Sequence, residues 1–160
     1  MKPGEAPVQF LKTTFRERGP AFSPDGHWLA YSSDETGREE VYITPYPGPG
    51  GCIAVSSGGG RSATWSANGR ELFYRNGRQM MGVTIGPGAA PSVSTPQLLF
   101  EGDYVEEDPG TGTNNYDVAA DGKRFLMMKA ESRPEEGVAP PQIIVVQNWL
   151  EELKRLVPTN

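Results

Sequence analysis

An all-β chain of repeated four-stranded units is the fold class this sequence predicts, and three observations predict it. A hairpin motif occurs three times, as PAFSPDGHWLAYSS (20–33), ATWSANGRELFY (63–74) and YDVAADGKRFLMM (116–128). Each copy is a short apolar strand, a turn closing on glycine and a second apolar strand. The turns Ser23-Pro24-Asp25-Gly26, Ser66-Ala67-Asn68-Gly69 and Ala119-Ala120-Asp121-Gly122 put Asp or Asn before Gly, a pair that tolerates the positive φ of a tight reversal. The closing glycines Gly26, Gly69 and Gly122 stand 43 and then 53 residues apart, one repeat of four short strands per interval.

Taken in order, residues 8–12 form a β-favouring run that precedes the first hairpin and reads as an orphan outer strand. Residues 20–56 form the first unit. Its strands are 21–23, 28–32, 40–45, where Val41 and Ile43 alternate with Tyr42 and Thr44, and 52–56. A meander of four antiparallel strands, then the glycine run Gly58-Gly59-Gly60 and a new first strand, is the grammar of a β-propeller blade. Residues 63–101 repeat it with strands 63–66, 71–75, 80–85 and 97–100. Residues 115–147 supply three strands of a third unit (115–118, 124–129 and 142–147) and lack an outer one. A short helix over 149–157 takes its place: Asn148 caps it with Glu151 at N3, Trp149, Leu150, Leu153, Leu156 and Val157 form an apolar face, and Pro158 ends it. The prediction is a propeller segment of three blade equivalents with a C-terminal helix that docks on the sheet rather than on a membrane.

Composition narrows the function classes. Twenty glycines and 15 prolines mark a turn-rich chain, and 36% hydrophobic residues argue against disorder. Fifteen basic against 20 acidic residues, a net charge of −5, leave no electrostatic footprint for nucleic acid or an anionic membrane. The apolar runs 125–128 and 143–146 are too short to span a bilayer. The lone Cys52 has no internal disulfide partner and reads as a buried small hydrophobe.

The first unit resembles the WD-like repeats of TolB-like β-propellers. The residues that carry the likeness are Phe22-Ser23-Pro24-Asp25-Gly26, Leu29-Ala30-Tyr31, Ser33-Asp34-Glu35-Thr36-Gly37 and Val41-Tyr42-Ile43. The second unit departs at Ala67 and Asn68, and the third keeps Asp121-Gly122 between its apolar strands. The run Tyr46-Pro47-Gly48-Pro49-Gly50-Gly51, the link from Gly58 to Trp65 and the ending Asn148-Trp149 with Glu151-Glu152-Leu153 are similar to the C-terminal propeller of bacterial eukaryotic-like serine/threonine kinases. That resemblance implies a receptor-like kinase context and, if the kinase is membrane-anchored, an extracytoplasmic location. No kinase signature occurs in the chain, so kinase activity does not carry over.

Candidate chemistry is sparse. Propeller blades also accompany prolyl-oligopeptidase-like hydrolases, but no G-x-S-x-G elbow is present, and the single histidine, His27, follows a hairpin glycine as an exposed strand-start residue. One His and one Cys do not make a zinc cluster, and no cofactor is expected. Gly58-Gly59-Gly60-Arg61 lacks the Lys-Ser/Thr of a P-loop and reads as a connection between units. The five carboxylates of residues 101–108 lack the ligand order of a calcium loop and read as a solvated acidic loop.

What remains is a surface. The loops 13–19, 34–39, 58–61, 76–78, 102–114 and 130–141 share one face and carry Arg16, Arg18, Arg38, Arg61, Arg78 and Tyr104, residue types enriched at interface hot spots. The expected function is a non-catalytic protein- or peptide-interaction or ligand-sensing module. The alternative is an accessory propeller of a prolyl-oligopeptidase-like hydrolase. Closed propellers use about four to eight blades. A chain with an orphan outer strand at one end and a missing one at the other is therefore expected to form a homodimer, with strand exchange completing a six-bladed ring, and a truncated, open half-propeller is the runner-up.

Overall fold

The computed structural model describes residues 6–7, 9–48, 50–88, 90–105, 114–129 and 143–146. Among them are eleven strands and no helix. β1 (Glu17–Phe22), β2 (Trp28–Ser33), β3 (Glu40–Pro45) and β4 (Ile53–Ala54) make one antiparallel sheet in chain order. β5 (Arg61–Trp65), β6 (Glu71–Asn76), β7 (Gln79–Thr84) and β8 (Gln97–Glu101) make a second with the same order. β9 (Tyr116–Val118), β10 (Phe125–Met128) and β11 (Ile143–Val146) make a third, with β10 in the middle.

The three hairpins are chemically the same turn. Gly26, Gly69 and Gly122 sit at φ +72°, +69° and +68°, and each donates its N–H to the carbonyl three residues back. Within each turn the Asp25, Asn68 or Asp121 side chain accepts the amide of the residue after the glycine, at 3.0, 2.8 and 3.0 Å. In the first two, Ser23 and Ser66 also accept the amides of Trp28 and Glu71, at 2.9 and 3.0 Å. The third turn has Ala119 there, and its side-chain acceptor is Asp121.

Strand alternation stacks the sheets. On β6, Leu72 and Tyr74 face the first sheet and join Trp28, Ala30, Val41 and Ile43 in one buried cluster. Phe73 faces the other way and joins Met80, Phe125 and Met127 in a second. One strand thus feeds two cores, because successive side chains point to opposite faces. Phe73 meets Phe125 edge-on at 5.0 Å, a geometry worth about 0.5–1.5 kcal/mol beyond area burial. Polar ties cross the same seams: Trp65 Nε1 donates to the Ala21 carbonyl at 3.1 Å, and the Tyr116 hydroxyl donates to the Ser62 carbonyl at 2.5 Å.

Several boundaries differ from expectation. β1 starts at Glu17 rather than at residue 21 and contains Pro20, because the β1–β2 register slips between Arg18 and Ala21 and the proline, which has no N–H to donate, occupies the slip. The predicted outer strand 8–12 has no strand over its described residues 9–12; instead Phe10 packs its ring on Tyr46 at 5.2 Å. β4 is two residues long, not five, because the Val55 and Ser56 amides both turn onto the Val41 carbonyl. Cys52, expected to be buried, is exposed. The predicted helix 149–157 lies outside the described residues, as do most of the loops 102–114 and 130–141.

Candidate functional site

The β2–β3 and β4–β5 loops leave the same end of the first sheet, and there a buried carboxylate organises the chain. Glu40, at the start of β3, is 3% exposed. It accepts the Ser56 hydroxyl, the Gly58 amide at 2.9 Å, the Gly59 amide at 3.0 and 3.1 Å and Arg38 Nε at 2.6 Å. Burial acts to raise the Glu40 carboxyl, but the donors outweigh it, Ser56 first and then Gly58, Arg38 and Gly59, and hold it below the usual carboxylate range. The glycine run is a connection, as expected, and also an anion cradle: the anion is the chain's own Glu40.

Around this latch the structure brings four of the six predicted residues to one neighbourhood. Arg38 and Arg61 line a cleft of about 240 Å³ together with Glu39, Arg75 and Asn76. Arg18 pairs with Glu39 at 3.8 Å. Tyr104, half-buried, lies under the Arg75 guanidinium, whose carbon is 5.7 Å from the ring centroid. The remaining two stand apart from the cleft lining. Arg78 pairs with Asp103 at 2.9 Å, and Arg16 is fixed by its own amide, which donates to the Asp34 carboxylate at 2.9 Å.

Sequence reasoning missed Glu40 and Arg75. Glu40 carried no signal, because a charged residue at a strand start reads as solvent-facing and the amides it binds come from 18 and 19 residues further on. Arg75 carried none, because it ends an apolar strand and is 5% exposed, donating to the Gly77 carbonyl at 2.7 Å. His27 is exposed, as expected, and stands 3.4 Å from Asp25.

No family model matches the chain, and no curated protein sequence matches it. Solved structures do. One is an oligogalacturonate lyase from Vibrio parahaemolyticus, with a TM-score of 0.52 at 14% identity over 74% of this chain and 31% of that chain. Another is a protein assigned as TolB from Agrobacterium tumefaciens, with a TM-score of 0.51 at 14% identity over 83% of this chain and 44% of that chain. The chain therefore spans less than half the length of either. The likeness shows a TolB-like β-propeller fold.

Proposed function

We propose that this chain is a non-catalytic propeller module that binds a protein or peptide partner at the loop end built on Glu40. The observation that carries the reading is the convergence of Arg38, Arg61 and Arg75 on one cleft beside Tyr104. Arginine forks and aromatic rings are the groups that dominate protein interfaces. One ion pair at this end is at the surface: the Arg78 and Asp103 side chains are both more than half exposed, and such a pair contributes about 0–1 kcal/mol. A partner carboxylate can displace it at little cost. At about 240 Å³ the cleft is smaller than the roughly 300–1,000 Å³ of small-ligand pockets, which favours a macromolecular surface over a small molecule.

In this reading the three sheets are three blade equivalents. The resemblance to kinase C-terminal propellers supplies a context, a sensor arm of a receptor-like serine/threonine kinase. The alternative context is a prolyl-oligopeptidase-like hydrolase, and the neighbouring DNA separates the two. A second copy completes the assembly: among the described residues β11 has β10 as its one strand neighbour, and Leu126 and Met128 are exposed on the far face of β10. A partner's 8–12 segment would add to that edge.

The test is capture from a lysate of the source organism with the wild-type chain and with an Arg61→Glu/Arg78→Glu variant, after thermal melts show that both fold. A partner retained by the wild type and lost by the variant supports the reading. Identical retention by both contradicts it.

A further inference from the structure

A second site lies at the other end of the sheets, between the tips of the first two hairpins. It is a cavity of about 840 Å³ walled by Trp28, Pro45 and Tyr46 from the first sheet and by Arg70, Thr84 and Ile85 from the second. The volume is in the range that encloses a bound group rather than solvent alone. Its apolar wall continues outside. Tyr46, 40% exposed, meets Phe22, 55% exposed, edge-on at 4.8 Å, and its other neighbour is Phe10 at 5.2 Å. Three exposed rings in line with a cavity form a contiguous apolar surface of the kind that marks a docking site.

The charge at the cavity is set by the repeat. The residue after the turn glycine is His27 in the first hairpin, Arg70 in the second and Lys123 in the third, a basic or titratable residue each time. The carboxylate in the cavity lining, Asp25, is hydrogen-bonded within its own turn and keeps its charge. Asp25 accepts the Ser23 hydroxyl and the His27 amide, and these hold it below the usual carboxylate range in that order. The Arg70 guanidinium, by contrast, is exposed at the cavity and has no side-chain partner among the described residues. The unpaired group at the cavity is the Arg70 guanidinium, and its planar fork suits a carboxylate.

We propose that this groove docks an extended acidic peptide segment, with an aromatic or aliphatic side chain in the cavity against Trp28 and Tyr46 and an adjacent carboxylate on Arg70. The rings favour an extended occupant over a compact small molecule, since Phe22 offers apolar contact beyond the cavity mouth whether or not residues 8–12 pair with a second copy. The site is at the opposite end from the Arg38–Arg61 cleft and does not depend on it.

The test is a titration of the ¹⁵N-labelled full chain with three Gly-Ser-flanked peptides whose cores are Glu-Phe-Glu, Lys-Phe-Lys and Glu-Ala-Glu. The proposal expects the first to shift the amides of residues 25–28, 46, 69–70 and 85–86, and to bind at least roughly tenfold tighter than the other two. Arg70→Glu should weaken it roughly tenfold with an unchanged melting temperature, because the guanidinium supports no fold contact. Phe22→Ser, at an exposed ring, should weaken it through the apolar arm. No shifts at millimolar peptide, equal response to all three, shifts confined to residues 58–61 and 75–78, or wild-type affinity in both variants would each overturn it.

Discussion

The amide of Gly59 donates to both carboxylate oxygens of Glu40, at 3.0 and 3.1 Å, from 19 residues further along the chain. This contact ties the start of β3 to the link between the first two sheets. It also sets where Arg38 and Arg61 sit, because one is held by the carboxylate and the other follows the link.

Replacing Glu40 with Gln should cost roughly 1–3 kcal/mol, since a buried acceptor with four donors loses its charge and one oxygen. The cost should depend on pH. The folded carboxyl lies below its unfolded value, so its contribution is complete above about pH 5 and disappears as pH falls through the folded value. Urea denaturation of both proteins from pH 7 to pH 3 should show the gap closing on the acid side. A gap that is constant or widens toward pH 3 would contradict the latch.

Tyr116→Phe should destabilise by roughly 1–2 kcal/mol. It removes the hydroxyl that donates to the Ser62 and Phe73 carbonyls, at 2.5 and 3.2 Å, while leaving the buried ring in place. Because these bonds join the third sheet to the second, hydrogen exchange should accelerate first at 125–128. Uniform acceleration across all three sheets would show that the bond is not a local tie.

Much of the fold was legible because local chemistry and burial agree. β2 and β3 match their predicted cores because Val41 and Ile43 alternate with their neighbours and the turn before β2 carries Ser-Pro-Asp-Gly. The misses have physical causes. Residues 9–12 look like a strand by propensity, but in one chain Phe10 finds Tyr46 and the backbone finds no ladder. Cys52 looked like core, but the ladder beside it is two residues long and the position stays exposed. The face that carries the arginines was readable from loop order, whereas its centre was not, because Glu40 is a charged residue inside a strand and only the fold reveals its four donors. The hairpin-tip cavity was invisible, since it forms between two units that are each complete alone.

Gly19→Ala should cost roughly 1 kcal/mol although the added methyl would meet nothing within 4 Å. Gly19 has φ +57° at the β1 register slip, and Ser62, at the equivalent slip in β5, has φ +55°. The cost is thus conformational rather than steric, and thermal melts of the variant check it. An unchanged midpoint would mean that the slip can shift without penalty.

Light scattering at micromolar concentration should return twice the chain mass of 17.4 kDa, and deletion of residues 1–12 should reduce it to the chain mass. A stable monomer of the full chain, or a dimer indifferent to the deletion, would remove strand exchange.

The most direct measurement is hydrogen–deuterium exchange of the chain alone and with the partner it captures. Exchange should slow in residues 34–39, 58–61, 75–78 and 102–104, the backbone around Glu40, Arg61, Arg75 and Tyr104. Protection elsewhere, with those four segments unchanged, would contradict it.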